Sequence, residues 1–119
     1  MKRILIVDDK ATIGKVLSIY LGGNYELEYC ENPIKALNLL SRGYEPDLII
    51  SDIRMPEMSG ADFLIYLKEN ALYKHIPVIM LSSEDSTTER IRLLQAGAED
   101  YILKPFNPQE LKIRIQKML

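Results

Sequence analysis

The 119-residue sequence has one cysteine, no tryptophan and no long hydrophobic run. Cys30 is the only cysteine, which excludes an intramolecular disulfide and a cysteine-rich zinc site. No segment approaches the roughly 18 apolar residues that a membrane-spanning helix needs. The basic N-terminus precedes an apolar run that is too short for a signal peptide and ends in two acids. We therefore expect a soluble cytoplasmic protein with no membrane partner.

The sequence also lacks a large excess of positive or negative charge. The sequence contains 15 Lys plus Arg and 17 Asp plus Glu, which gives a net charge of −2. Because this balance leaves no general basic surface, we expect no direct binding to nucleic acid. The hydrophobic fraction of 47% and the charged fraction of 27% are ordinary for a globular protein. The length suits one domain that spans residues 1–119.

Short apolar runs alternate with segments of helical periodicity along the whole chain. The runs predict five strands, at residues 4–7, 25–30, 47–51, 76–81 and 101–103. A βα unit repeated five times predicts an α/β fold with a doubly wound, five-stranded parallel sheet and five helices on both faces. Five strands favour the flavodoxin-like order 2-1-3-4-5. The segment at residues 25–30 alternates apolar and acidic residues, as an edge strand does.

Ser86 and Glu89 have the spacing of a capping box, which predicts the start of the fourth helix. Ile91, Leu94 and Ala98 follow at helical spacing, so we expect them on one side of that helix. Gly97 is predicted to end it.

Polar residues follow the predicted strands at the edge where the carboxyl ends of parallel strands meet. They are Asp8 and Asp9 after strand one, Asp52 after strand three, Ser82 after strand four and Lys104 after strand five. Ligands of open parallel sheets bind at this edge. Three converging carboxylates repel one another, and Mg²⁺ is the simplest remedy because it prefers hard oxygen ligands. One Mg²⁺ would also neutralise three carboxylates and one lysine, so that an anion can enter.

Other phosphate-binding sites do not fit the first strand. A flavin or dinucleotide site needs a loop rich in Gly, Ser or Thr there, so that backbone N–H groups reach the phosphate. Two acids stand in its place, and neither G-x-G-x-x-G nor G-x-x-x-x-G-K-[ST] occurs.

Four sequence blocks carry a resemblance to a known family. They are Val-Asp-Asp at 7–9, Ser-Asp-Ile-Arg-Met-Pro-Glu-Met-Ser-Gly at 51–60, Leu-Ser-Ser at 81–83 and Lys-Pro-Phe at 104–106. Together they resemble the receiver domain of two-component response regulators, over nearly the whole chain from Lys2 to Met118. The resemblance implies a signalling domain that a histidine kinase phosphorylates in a Mg²⁺-dependent reaction, and not an enzyme with its own substrate.

The resemblance implies that Asp52 is the phosphoacceptor, a carboxylate nucleophile that forms an acyl phosphate. It also implies a Mg²⁺ site formed by Asp9 and Asp52, by Asp8 largely through water, and by the backbone carbonyl of Arg54. The metal would neutralise charge on the transferring phosphoryl group.

Other positions take their expected roles from the same resemblance. Lys104 and Ser82 would contact phosphoryl oxygens, and the Lys104–Pro105 peptide bond would be cis. Ser82 and Tyr101 would form the switch: Ser82 moves to the phosphoryl group, Tyr101 rotates inward, and the surface of helix four, strand five and helix five changes. Arg54 and Glu84 would flank the path of the attacking water and tune dephosphorylation.

The resemblance extends to a dimer face on helix four, strand five and helix five. The charged residues at this face are Arg92, Glu99, Asp100, Glu110 and Arg114. Asp100 with Arg114, and Arg92 with Glu110, are the expected ion pairs between the two receivers of such a dimer. Gln116 replaces a usual base, so the match to this branch is partial.

Two alternatives from other classes remain beside this reading. An aspartyl-nucleophile phosphatase of the haloacid-dehalogenase type also uses a strand-end Asp, Mg²⁺ and Lys, but it needs an acid where Arg54 stands. A degenerate receiver binds partners without phosphorylation, but it has usually lost an acid or the lysine. The sequence identifies neither the downstream effector nor whether the chain is a stand-alone receiver or part of a longer regulator.

Overall fold

Five β-strands alternate with five α-helices in the computed structural model, which describes residues 1–119. The strands are β1 (Arg3–Val7), β2 (Glu26–Cys30), β3 (Leu48–Asp52), β4 (Val78–Ser82) and β5 (Asp100–Leu103). The helices are α1 (Ala11–Leu21), α2 (Pro33–Ser41), α3 (Gly60–Glu69), α4 (Thr87–Gln95) and α5 (Pro108–Met118). All strand pairs are parallel, in the order β2-β1-β3-β4-β5. The predicted flavodoxin-like fold is therefore confirmed.

The sheet separates two hydrophobic layers because successive side chains of a strand point to opposite faces. Ile4 and Ile6 of β1 belong to the layer under α1 and α5, and Leu5 and Val7 belong to the layer under α2, α3 and α4. Every residue of β3 and β4 is buried, whereas β2 at the edge exposes Glu26 and Glu28. The helices thus cover both faces of the sheet, and its edge with the carboxyl ends of the strands stays open for a site.

Side chains at the helix starts satisfy backbone N–H groups, which fixes where four of the helices begin. Asn32, Ser59, Ser86 and Asn107 each accept a hydrogen bond from the first turn of the helix that follows. Caps of this kind contribute about 1 kcal/mol each. The exception is α1, whose start has no side-chain cap. Lys10, the residue before α1, donates its backbone N–H to Asp8 Oδ1 at 2.8 Å.

The strand bounds differ by one or two residues from the sequence expectations, and Asp52 ends β3 where it was expected to follow the strand. β4 begins at Val78 and not at 76, because the Ile76 N–H bonds to Tyr73 in a turn and Pro77 has no N–H. The side of α4 that carries Ile91 and Leu94 is not its core side. Leu93 is the buried residue of this helix, whereas Ile91 and Leu94 are 50% and 40% exposed. Two large apolar side chains of α4 therefore face outward.

The start of α3 lies unusually close to the end of β3. A Cβ on Gly60 would be 2.0 Å from the backbone oxygen of Asp52 and 2.8 Å from the Cα of Ile53. The N–H of Gly60 donates to the carbonyl of Ile53 at 2.8 Å. Only glycine permits this approach, which holds the segment after Asp52 against α3.

No helix in the structure combines the length and the apolar character that crossing a membrane requires.

Candidate functional site

Three carboxylates meet at the carboxyl edge of the two central strands. Asp52 is the last residue of β3, and Asp8 and Asp9 follow β1. Because Val7 pairs with Ser51 in parallel register, the two strands end side by side. One ligand oxygen from each acid lies within 4.8 Å of the others. The structure therefore brings together the three acids that the sequence placed at this edge.

Lys104 lies between two of these carboxylates. Its Nζ is 3.0 Å from Asp8 Oδ2 and 3.2 Å from Asp52 Oδ1, and its side chain is 14% exposed. Burial lowers its pKa, but the hydrogen bond and charge of Asp8 and the charge of Asp52 outweigh burial, so the pKa is raised overall. The backbone N–H of Lys104 donates to Ser82 O, and the Lys104–Pro105 peptide bond is cis. The ammonium group is thus held charged beside the predicted phosphoacceptor.

Asp8 is the most deeply buried acid of the cluster, at 1% exposure. Its Oδ1 accepts from the Lys10 N–H at 2.8 Å, and its backbone oxygen accepts from the Tyr29 hydroxyl at 2.5 Å. Burial is the main reason that the pKa of Asp8 is raised, and the charge of Asp52 acts in the same direction against the hydrogen bonds from Lys10 and Lys104. Holding a full charge here is unfavourable without a further cation.

The donor set fits a divalent cation. All three side chains offer hard carboxylate oxygens, and one ammonium group leaves two excess negative charges in the cluster. Asp8 and Asp52 are buried, whereas the Asp9 side chain is 32% exposed. This side of the cluster is therefore open to water and to an entering anion.

The two predicted switch residues occupy neighbouring strands beside the acids. Ser82 ends β4, and its Oγ accepts from the N–H of Glu84 at 3.0 Å. Tyr101 of β5 is 7% exposed, and its hydroxyl donates to the backbone oxygen of Glu84 at 3.2 Å and to Glu89 Oε1 at 3.0 Å. Tyr101 thus lies inward, under the β4–α4 loop.

The predicted rate-tuning residues Arg54 and Glu84 form an ion pair, and Glu84 belongs to the β4–α4 loop. Arg54 Nη2 lies 2.6 Å from Glu84 Oε2 and 3.4 Å from Glu89 Oε2. The side chains of Arg54 and Glu84 are 61% and 49% exposed, so this pair is solvent-screened. Both residues lie at the rim of the site.

Arg114 forms two ion pairs at the predicted dimer face. Its guanidinium lies 2.7 Å from Asp100 and 2.9 Å from Glu110, within the same chain. Within one chain, both Asp100 and Glu110 therefore pair with Arg114, and the Arg92–Glu110 pair expected across a dimer stays a prediction. Neither Arg92 nor Glu99 has an ion-pair partner in the chain.

Two residues that contact the site were not singled out by the sequence reasoning. Tyr29 was placed only as an alternating strand residue, although its hydroxyl binds the backbone of Asp8. Glu89 was placed only as a capping-box partner, although its carboxylate contacts both Arg54 and Tyr101. No sequence motif signals these contacts of Tyr29 and Glu89, because the partner residues are distant in sequence.

The flavodoxin-like sheet, with an acidic pocket and a lysine at its carboxyl edge, is typical of one class of domain. Comparisons with known proteins identify that class. A family model described as the response regulator receiver domain matches residues 4–116. The chain belongs to this family, and it is a receiver domain of the kind found in two-component systems. Receiver domains generally bind Mg²⁺ at an acidic pocket such as this one, and they interact with histidine kinases.

Relatives of known role include both regulators and chemotaxis proteins. The phosphate regulon transcriptional regulatory protein PhoB of Escherichia coli is 38% identical over 119 residues, which cover 99% of this chain and 52% of PhoB. The chemotaxis protein CheY1 of Helicobacter pylori is 33% identical, with 98% of this chain and 96% of CheY1 covered. The chain thus spans about half the length of its PhoB relatives.

Solved structures agree with this family assignment. The chemotaxis protein CheY4 of Vibrio cholerae has a TM-score of 0.90 and 33% identity, covering 100% of this chain and 99% of CheY4. The receiver domain of the Francisella response regulator 1452 also has a TM-score of 0.90, at 30% identity, covering 99% and 96% of the two chains.

Proposed function

We propose that Asp52 accepts a phosphoryl group from a phosphohistidine of a histidine kinase. A carboxylate oxygen of Asp52 forms the new O–P bond, the N–P bond breaks, and the imidazole leaves with its electron pair and takes a proton from solvent. The observation that carries this proposal is the contact of 3.2 Å between Lys104 Nζ and a buried Asp52 carboxylate. A lysine so placed is a compact positive charge for the incoming phosphoryl oxygens.

The remaining site residues have complementary roles in this proposal. Asp9 and Asp52 would hold Mg²⁺ directly, Asp8 largely through water, and the Arg54 backbone carbonyl would complete the protein ligands. The bound ion would supply charge neutralisation for phosphoryl transfer. Ser82, at the end of the strand next to Asp52, donates its hydroxyl to a phosphoryl oxygen.

The output of the reaction is a change of surface. When the Ser82 hydroxyl turns to the phosphoryl group, its bond with Glu84 breaks, and the β4–α4 loop and the inward Tyr101 adjust together. The surface of α4, β5 and α5 then differs between the two states. A shift of this kind has a coupling energy of about 1–3 kcal/mol.

Arg54 and Glu84 tune the lifetime of the acyl phosphate, because their ion pair stands at the rim that an attacking water must pass.

We also propose that the receiver unit spans residues 1–119 and that its switched surface forms a homodimer or contacts an effector. PhoB, which is about twice as long as this chain, is named as a transcriptional regulator, and CheY1 as a chemotaxis protein.

Phosphorylation with acetyl phosphate and Mg²⁺ tests the function. We expect wild type to gain one Mg²⁺-dependent phosphate that hydroxylamine releases, as an acyl phosphate requires. Asp52→Asn should gain none, and Asp62→Asn, which changes an exposed acid of α3, should behave as wild type. Intact-protein mass spectrometry reads the added phosphate. Labelling that persists in Asp52→Asn would place the phosphoacceptor elsewhere and contradict the proposal.

A further inference from the structure

Glu89 connects two parts of the site that have no direct contact with each other. Its Oε1 accepts from the Tyr101 hydroxyl at 3.0 Å, and its Oε2 lies 3.4 Å from Arg54 Nη2. The Glu89 side chain is only 14% exposed, so these two partners replace much of its contact with water. One carboxylate therefore joins the residue at the rim of the phosphoryl site to the buried tyrosine of β5.

The position of Glu89 in α4 does not explain this arrangement. Ser86 Oγ accepts from the Glu89 N–H at 3.2 Å, which is half of a capping box. In a full box the glutamate would return a bond to the Ser86 N–H. Here the carboxylate is bonded instead to residues 12 and 35 positions away. The side chain thus serves a tertiary contact and not the local start of the helix.

Glu84 is the natural comparison, because it lies nearer to Arg54. Its Oε2 is 2.6 Å from Arg54 Nη2, but it contacts Tyr101 only through its backbone oxygen. A change at the Arg54 guanidinium can therefore reach the tyrosine hydroxyl through the carboxylate of Glu89 and not through that of Glu84. Burial is the main cause that raises the pKa of Tyr101, a hydrogen bond with Ser82 acts against it, and the bond to Glu89 acts with it, so the hydroxyl remains a donor.

We propose that Glu89 is a positioning residue that couples Arg54 to the inward orientation of Tyr101. Arg54 and Tyr101 share the charge of one carboxylate, so withdrawal of the guanidinium strengthens the bond that Glu89 accepts from Tyr101. An anion at Asp52 offers Arg54 a competing partner, which would make this withdrawal part of the switch. The consequence for signalling rests on the proposed function, whereas the coupling itself does not.

The coupling is measured without phosphorylation, by ¹⁹F NMR of protein labelled with 3-fluorotyrosine. Tyr101→Phe assigns the resonance, and the other six of the seven tyrosines serve as internal references. We expect Arg54→Ala to raise the inward-to-outward ratio of Tyr101 about three-fold, the scale of one strengthened charged hydrogen bond. Glu89→Ala should lower that ratio, because the tyrosine loses an acceptor.

Glu89→Gln separates coupling from packing. Its amide oxygen can still accept from Tyr101 but has no charge to pair with Arg54, so Arg54→Ala should change the Tyr101 resonance much less in this background. Glu84→Gln is the matched control, and in it the response to Arg54→Ala should persist. The proposal is overturned if Arg54→Ala has the same effect with Glu89 and with Gln at this position, has no effect, or lowers the ratio in wild type.

Phosphorylation by acetyl phosphate provides the second arm. If Asp52 is labelled but Tyr101 does not respond to Arg54→Ala, the coupling is wrong and the proposed function stands. If Tyr101 responds as expected but Asp52 is not labelled, the coupling stands and the proposed function fails. Thermal unfolding of each variant verifies that it is folded before either measurement.

Discussion

Asp8 illustrates at the scale of one residue how burial creates the need for a cation. Its carboxylate is almost fully buried, and its pKa is raised first by burial and then by Asp52, despite the hydrogen bonds from Lys10 and Lys104. The folded protein therefore retains this proton at a higher pH than the unfolded chain does. Ionised Asp8 lowers the stability of the protein unless a further positive charge is present.

We expect Asp8→Asn to stabilise the protein in the presence of a chelator. The unfolded carboxyl titrates near its ordinary pKa of 3.8, so wild type loses stability as the pH rises from there through the higher folded pKa. The variant has no such proton to lose. Its gain in the free energy of unfolding should thus be small near about pH 3.5 and larger near about pH 7. Urea unfolding at both values measures it.

Mg²⁺ provides the complementary control, because a bound ion stabilises only the protein that binds it. Mg²⁺ should stabilise wild type more than Asp8→Asn, and Asp62→Asn should follow wild type in both conditions. An Asp8→Asn protein that is less stable than wild type at neutral pH in chelator would contradict this account of the buried charge.

The motif residues of the site were predictable from sequence, and their bridging neighbours were not. Asp8, Asp9, Asp52 and Lys104 each end or follow an apolar strand, so the parallel sheet alone brings them to one edge. The contacts of Glu89 depend on the orientation of α4 over the sheet. No local pattern specifies that orientation.

At the scale of the element, the start of α3 controls the segment that follows Asp52. We expect Gly60→Ala to lower the free energy of unfolding by about 2 kcal/mol or more, because its Cβ would overlap backbone atoms that cannot move independently. Metal binding should weaken as well, since Asp52 would be displaced. Chemical denaturation and a titration with Mn²⁺ followed by EPR measure the two effects.

Gly23→Ala is the matched control, because its Cβ would have no atom within 4 Å. It should leave metal binding unchanged and alter stability by less than about 1 kcal/mol. Equal effects of the two substitutions would show that the close approach at Gly60 is unimportant.

The order and type of the elements followed from sequence because each apolar run is short and each helix has a stop or a cap. The exposed side of α4 did not follow. Ile91 and Leu94 have helical spacing, which sequence reasoning assigns to a core face. In the structure a single residue, Leu93, provides the buried contact of this helix.

At the scale of the whole molecule, α4 and α5 flank the edge strand β5 from opposite faces of the sheet, and both carry exposed apolar and charged side chains. Ile91, Leu94 and Ile113 are all at least 40% exposed, and Arg92 has no ion-pair partner in its own chain. Since Asp100 and Glu110 are already paired with Arg114, apolar contact would contribute more to a dimer than new ion pairs.

We therefore expect a beryllofluoride adduct of the protein to dimerise through this surface, and Ile113→Glu to weaken the dimer at least about ten-fold. Sedimentation velocity with and without the adduct measures the association. Ile19→Glu, on the exposed side of α1, is the control and should dimerise as wild type does. A protein that stays monomeric at high micromolar concentration with the adduct would refute this expectation.

The site forms in an order set by the chain, since β1 and β3 are neighbours in the sheet order β2-β1-β3-β4-β5 and are both made before β5. All three acids precede the junction of β3 and β4 in the chain, and Lys104 follows β5, the last strand to be made. During synthesis the N-terminal half can collapse first, with its carboxylates gathered and no internal counter-charge. When the final strand is added, it buries apolar surface and also brings the positive charge of Lys104 to the carboxylates. Before that strand is in place, a divalent cation would neutralise the carboxylates as the lysine later does.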